Sequence, residues 1–178
     1  EETPRDRNQL ALMAASGPLV GAVCVLGLLF VTGAWEDPTG LAAAPRLASP
    51  PVWAAAQWVT GSTPGVASND PVGLALWIAC VVTWINLMPF GQLDGGHLWS
   101  TMFPDHATAA TWGTTATLLV LAFWWPYWLV WAVMLHLLGS RHPSDLRRPD
   151  VGLGSGAVGA AAASLVVFVL FAVPCPWN

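Results

Sequence analysis

Long runs of apolar residues, separated by short polar stretches, follow one another along the chain. A helix needs about 20 apolar residues to cross the hydrocarbon core of a bilayer, and most of these runs are close to that length. The pattern predicts an all-α polytopic membrane protein, a single membrane domain over 1–178 with about five transmembrane helices. The predicted spans are 10–32, 71–88 with a broken continuation over 94–103, 107–123, 127–138 and 156–173.

The second predicted span is interrupted within 86–97. Pro89 lacks the backbone donor that a helix needs and Gly91 favours open backbone, so the helix should be broken between Met88 and Leu93. Asp94 follows at once. Broken backbone at membrane depth is tolerated only inside protein or beside a water-filled cavity, and an ionisable residue there is by default a functional-site hypothesis. The alternative is a polar turn just outside the membrane. In a purely structural role, Asp94 is expected to cap the short helix that follows.

Composition supports a membrane protein. Hydrophobic residues make up 55% of the chain and charged residues 9%, whereas about 25% of residues are charged in a soluble domain. The formal net charge of −4 argues against a nucleic-acid partner. Cys24, Cys80 and Cys175 are scattered through apolar runs, so we interpret them as small buried hydrophobic residues.

The arginines predict the orientation. If the chain crosses the membrane five times, five arginines lie on one side of the membrane and Arg46 lies on the other. The five are Arg5, Arg7, Arg141, Arg147 and Arg148. The positive-inside rule places this group, the N-terminus and the Asp94 end toward the cytoplasm, and the C-terminus on the opposite side. Residues 33–70 then face away from the cytoplasm, with no firm prediction of their conformation. Trp35, Trp53 and Trp58 suit a membrane interface.

The pattern Asn-Leu-Met-Pro at 86–89, followed by Leu-Asp-Gly-Gly at 93–96, resembles the site-2 protease family of intramembrane zinc metalloproteases. Residues 16–21, Ser-Gly-Pro-Leu-Val-Gly, are similar to a segment on the preceding membrane helix of that family, although packing is the preferred role of its Gly-Pro pair. Further similarity lies at 139–143, in the arginine-bearing loop that follows, and at Pro174 and Pro176. The resemblance implies that Asp94 is the third protein ligand of a catalytic zinc, and that Asn86 contacts substrate or stabilises the oxyanion.

One departure from the family pattern limits these expectations. His-Glu-x-x-His, which supplies the family's other two zinc ligands and its general base, does not occur in this sequence. Zinc is therefore expected only if the missing helix is supplied, and we expect the 178 residues alone to bind no zinc tightly. A zinc site needs several convergent ligands, so His97 is predicted to be a hydrogen-bonding or packing residue and His136 a packed or interfacial one.

Two functional hypotheses follow. The chain is the C-terminal part of an intramembrane zinc protease that acts on membrane peptides, or it is a non-catalytic, pseudoprotease-like subunit of a larger membrane complex, respiratory or photosynthetic. Membrane lipids are expected partners in both cases, with other membrane subunits or pigments in the second. A transporter, suggested only by the broken helix, is a distant third.

Overall fold

The computed structural model describes residues 4, 6–32, 48–61, 71–139 and 152–173. Within these ranges the protein is all-helical, as the sequence predicts, and contains no strand. A short 3-10 turn, Pro104–His106, precedes the fifth helix. The helices are α1 Arg7–Thr32, α2 Pro51–Thr60, α3 Pro71–Asn86, α4 Asp94–Met102, α5 Ala107–Trp124, α6 Tyr127–Gly139 and α7 Ser155–Leu170.

Two stretches in the described part of the chain are helical, long and apolar enough to cross a membrane, namely Arg7–Val31 and Pro104–Trp124. Three further apolar helices are shorter: α3 and α7 have 16 residues each and α6 has 13. At about 1.5 Å per residue, a 16-residue helix is shorter than a hydrocarbon core of about 30 Å. The helices thus match the predicted segments, while a membrane crossing by all five stays a prediction.

The chain divides into two compact units. The first contains the described residues up to Leu19 together with Asn86–Leu165, and the second contains Val20–Ile85 and the described residues from Val166 onward. The loop between α3 and α4, with all of α4, α5 and α6, therefore belongs to the first unit.

In the second unit, α1 and α3 approach closely where small residues allow it. A Cβ atom on Gly21 would lie 3.6 Å from Oγ1 of Thr83, and small residues of this kind let two helices pack closely. The ring centroids of Trp84 and Phe168 lie 5.9 Å apart, which joins α3 to the end of α7. On α2 the Trp53 side chain is fully buried, with 0% exposure.

In the first unit, α5 and α6 form a helical hairpin. The backbone N–H of Trp125 donates to the Leu121 carbonyl, and that of Trp128 donates to the Trp125 carbonyl, so the chain turns at Trp125 and Pro126. The first turn of a helix leaves backbone donors unsatisfied, and proline has no backbone donor, so it suits this position. The hairpin therefore reverses the chain within a few residues.

The start of α1 is held by polar contacts within the first unit. The Asp6 carboxylate accepts from the backbone N–H of Gln9 at 2.9 Å, which is an N-cap interaction. Arg7 donates through Nε, at 3.1 Å, and through Nη2 to the Thr101 carbonyl near the C-terminal end of α4. A guanidinium satisfies the unpaired carbonyls at the end of a helix and opposes the negative end of its dipole. This contact fixes the start of α1 beside the end of α4.

Candidate functional site

The predicted break between α3 and α4 is present. Helix α3 ends at Asn86 and α4 begins at Asp94, and the residues between them are not helical. Gly91 has φ +41°, a left-handed conformation that side chains with a Cβ atom rarely adopt. The loop is tightened by backbone bonds from Phe90 to Met88 at 2.7 Å and from Leu93 to Phe90 at 3.0 Å. Pro89 and Gly91 therefore do what the sequence predicts of them.

Helices α5 and α6 provide hydrogen-bond partners for the broken backbone. The N–H of Gly91 donates to Oγ1 of Thr111 at 3.3 Å, and Oγ1 of Thr114 donates to the Pro89 carbonyl at 3.2 Å. The N–H of Gln92 donates to the Gly139 carbonyl at 3.4 Å. Such pairing is what irregular backbone needs in an apolar surrounding.

These two threonines are not among the site residues predicted from the sequence. Thr111 and Thr114 stand three residues apart on α5, a spacing that places both on one face of a helix. The spacing alone does not identify them as partners of the break, because the sequence does not show which segment packs against α5. Thr111 is buried, so its hydroxyl needs a partner, and the break supplies one.

Two glycines allow the break to fold directly onto the start of α4. A Cβ atom on Gly95 would lie 2.0 Å from the Leu87 carbonyl oxygen, and one on Gly96 would lie 2.4 Å from the Gly91 carbonyl oxygen. The obstructing atoms are backbone atoms, which cannot rotate away as side chains do. Close backbone approach is therefore the physical reason for the Gly-Gly pair after Asp94.

Asp94 does not cap α4 as expected. Leu93 occupies the N-cap position, with φ −68° and ψ 159°, and no side chain makes a capping hydrogen bond there. Asp94 is the first residue of the helix, where a negative charge interacts favourably with the helix dipole. Its side chain is half-buried, and its Oδ2 lies 3.7 Å from the position of a Cβ atom on Gly17 of α1. The structure thus brings together the two segments that carry the family resemblance.

The Asp94 carboxylate has no polar partner within the described part of the chain. Among the residues that the structure describes, none forms a hydrogen bond or ion pair with its carboxylate. Taking a carboxylate out of water without such compensation costs free energy. The position therefore suits a carboxylate that meets a ligand from elsewhere.

Asn86 and His97 lie on the helices on either side of the break. Asn86 is the last residue of α3 and is half-buried, and its side chain makes no hydrogen bond to a described residue. Its expected role at the site stays a prediction. His97 lies one turn after Asp94 on α4 and is half-buried. The loop after Gly139 and residues 174–178, which carry the remaining family similarity, lie outside the described residues.

The described residues do not by themselves form a zinc site. No group of three or more His, Cys, Asp or Glu side chains comes together within them, whereas a catalytic zinc takes about three protein ligands. Asp94 supplies one carboxylate at the point where the resemblance to site-2 proteases implies a ligand. Any further ligands would have to come from outside the described ranges.

Comparisons of this chain with protein families, with curated proteins and with solved structures find no match. The relationship to site-2 proteases is therefore an interpretation of the motif residues and of the local geometry around Asp94.

Proposed function

We propose that this chain is the C-terminal membrane part of a site-2-protease-like protein, and that Asp94 is the residue it contributes to the active site. The observation that carries the proposal is the half-buried carboxylate at the start of α4, which faces Gly17 of α1 and has no polar partner among the described residues. Burying a carboxylate without a polar partner costs free energy, and a ligand that binds the Asp94 carboxylate would offset that cost.

The surroundings of Asp94 support a positioned group. Three hydrogen bonds to α5 and α6 hold the loop that precedes it, and the two glycines that follow it are packed on backbone. A carboxylate at the junction of such a loop and a helix has little freedom to move. Functional groups need that restriction if they are to meet a metal or substrate in one geometry.

The proposed site lies in a membrane protein, with the Asp94 end toward the cytoplasm. The apolar helices and the arginine distribution support this placement. The substrate would be a membrane peptide. Because the described residues place one carboxylate at this site and form no cluster of three or more ligands, catalysis depends on ligands and a general base from another segment.

The test is Asp94→Asn in the full-length gene product, with cleavage of a membrane-inserted peptide and zinc content as readouts. The amide is nearly isosteric with the carboxylate but is neutral and a poor zinc ligand. We expect cleavage to be lost and zinc content to fall, with thermal stability nearly unchanged.

Asp105→Asn is the matched control, because Asp105 is exposed in the turn between α4 and α5. It makes the same chemical change without touching the site, so activity should persist. Equal cleavage by both variants would refute the role of Asp94.

A non-catalytic subunit of a larger respiratory or photosynthetic membrane complex is the second candidate. It is favoured by the aromatic surface at the α5–α6 turn, where Phe123 is 89% and Trp124 67% exposed. Such side chains suit partner helices as well as a membrane interface. If the full-length protein cleaves no peptide, and Asp94→Asn leaves assembly of its native complex unchanged, this second function replaces the first.

A further inference from the structure

His136, on the outer face of α6, carries chemistry that the proposed protease function does not use. Its ring nitrogen Nδ1 lies 2.8 Å from the carbonyl oxygen of Ala132, one turn earlier in the same helix. A carbonyl only accepts, so Nδ1 is the protonated nitrogen in this contact. When the ring is neutral, the lone pair of the histidine is then on Nε2. Hydrogen bonding of one ring nitrogen is what orients a histidine whose other nitrogen binds a metal.

Two aromatic side chains flank the imidazole. The ring centroid of Phe90, in the break, lies 5.0 Å from that of His136 in an edge-on arrangement, and the centroid of Trp112, on α5, lies 6.2 Å away. These contacts and the bond to Ala132 restrict the ring from several sides. Nε2 has no hydrogen-bond partner among the described residues, and the His136 side chain is exposed. The nitrogen is therefore positioned and accessible.

The two helices beside His136 are apolar. Helices α5 and α6 contain no Asp, Glu, Lys or Arg. Val133 and Leu137, on either side of His136 in sequence, are 59% and 81% exposed. Among the described residues, no group of three or more His, Cys, Asp or Glu side chains includes His136, whereas a metal ion without ligands of its own needs several from the protein.

We propose that His136 is the axial ligand of a metal-centred tetrapyrrole bound on the outer face of the α5–α6 hairpin. A tetrapyrrole brings its own equatorial nitrogen ligands, so the protein has to add only one imidazole. Its apolar rim matches the aliphatic surface around Val133 and Leu137. The prediction from the sequence that His136 is not a ligand assumes that the protein provides every ligand of the metal. A metal-centred tetrapyrrole does not require this. The inference is independent of the role proposed for Asp94.

The experiment titrates the purified full chain in detergent with two probes, iron protoporphyrin IX and a zinc-substituted chlorin. We expect one macrocycle per chain with the absorption shift of axial imidazole ligation, and the probe that binds more tightly distinguishes a haem from a chlorophyll-type pigment. His136→Ala should lose the shift. His106→Ala is the matched control, because His106 is exposed in the turn before α5, and it should keep the shift.

Rescue by free imidazole separates ligation from a structural role. Added imidazole should restore the ligated spectrum to His136→Ala if the histidine acts only through its ring nitrogen. Equal binding by His136→Ala and His106→Ala would show partition into apolar surface and overturn the proposal. So would the absence of an axial-imidazole spectrum with both probes in the unmodified chain, a result that does not depend on whether any variant folds.

Discussion

Oδ2 of Asp94 lies 3.7 Å from the point where Gly17 would carry a Cβ atom. The distance is an ordinary van der Waals separation, so a methyl group would touch the carboxylate without displacing it. A longer side chain would compete with the carboxylate for the same space. Gly17 is thus the residue of α1 whose size affects the Asp94 site directly.

We therefore expect Gly17→Ala to be tolerated and Gly17→Leu to destabilise the protein by about 1–3 kcal/mol, the usual cost of overpacking. Gly27→Leu, in the same helix, is the control, because nothing lies within 4 Å of a Cβ atom there. Thermal unfolding in detergent micelles measures both changes. Equal stability of the two leucine variants would contradict the close approach of α1 to Asp94.

The glycine that follows Asp94 is expected to be irreplaceable. In Gly95→Ala the new Cβ atom would lie 2.0 Å from the Leu87 carbonyl oxygen, so the loop or α4 must move. We expect misfolding, or a loss of several kcal/mol in the free energy of unfolding, as for severe core disruptions of about 4 kcal/mol or more. The measurement is the yield of folded protein after detergent extraction, followed by thermal unfolding.

Gly113→Ala serves as the comparison for that variant. Gly113 is inside α5 and has nothing within 4 Å of a Cβ atom. Alanine is favoured over glycine in a helix interior by about 1 kcal/mol, so Gly113→Ala should be neutral or stabilising. If both alanine variants behave alike, the tight packing of the break on α4 is wrong.

The sequence predicts the helices and the break because both depend on local chemistry. Apolar runs and the residues Pro89, Gly91 and Pro126 define most of the helix ends to within a few residues. The break is therefore visible from composition and backbone preference alone.

The partners of the break are not predictable in the same way. Thr111 and Thr114 belong to the site only because α5 packs beside the loop, which is information about distant segments. The cap predicted for Asp94 is wrong for a related reason. The backbone enters α4 one residue earlier, so Leu93 takes the N-cap position and the carboxylate lies in the first turn.

Loss of the Thr111 hydroxyl should destabilise the loop between α3 and α4. Thr111→Val keeps the shape of the side chain but removes the acceptor for the Gly91 N–H. An unsatisfied buried donor costs about 1–3 kcal/mol. Thr117→Val is the control, because the exposed Thr117 hydroxyl donates to the Gly113 carbonyl in its own helix and to no described residue of the break. Hydrogen exchange at Gly91 should accelerate in Thr111→Val alone; unchanged exchange would argue against this bond.

The last prediction concerns Arg7, which joins the start of α1 to the end of α4. Its guanidinium donates twice to the Thr101 carbonyl, from Nε at 3.1 Å and from Nη2. A hydrogen bond from a charged donor contributes about 1.5–3 kcal/mol, so we expect Arg7→Ala to lower the free energy of unfolding by about that amount. Arg7→Lys should recover only part of the loss, because an ammonium keeps the charge near the helix end but lacks the two-pronged geometry of a guanidinium. Thermal unfolding of the three proteins at low and high salt distinguishes charge from geometry, since salt weakens the interaction with the helix dipole.

If lysine and arginine give the same stability, the charge alone is sufficient and the paired hydrogen bond contributes nothing measurable. If alanine also matches them, the contact between Arg7 and Thr101 does not stabilise the protein at all.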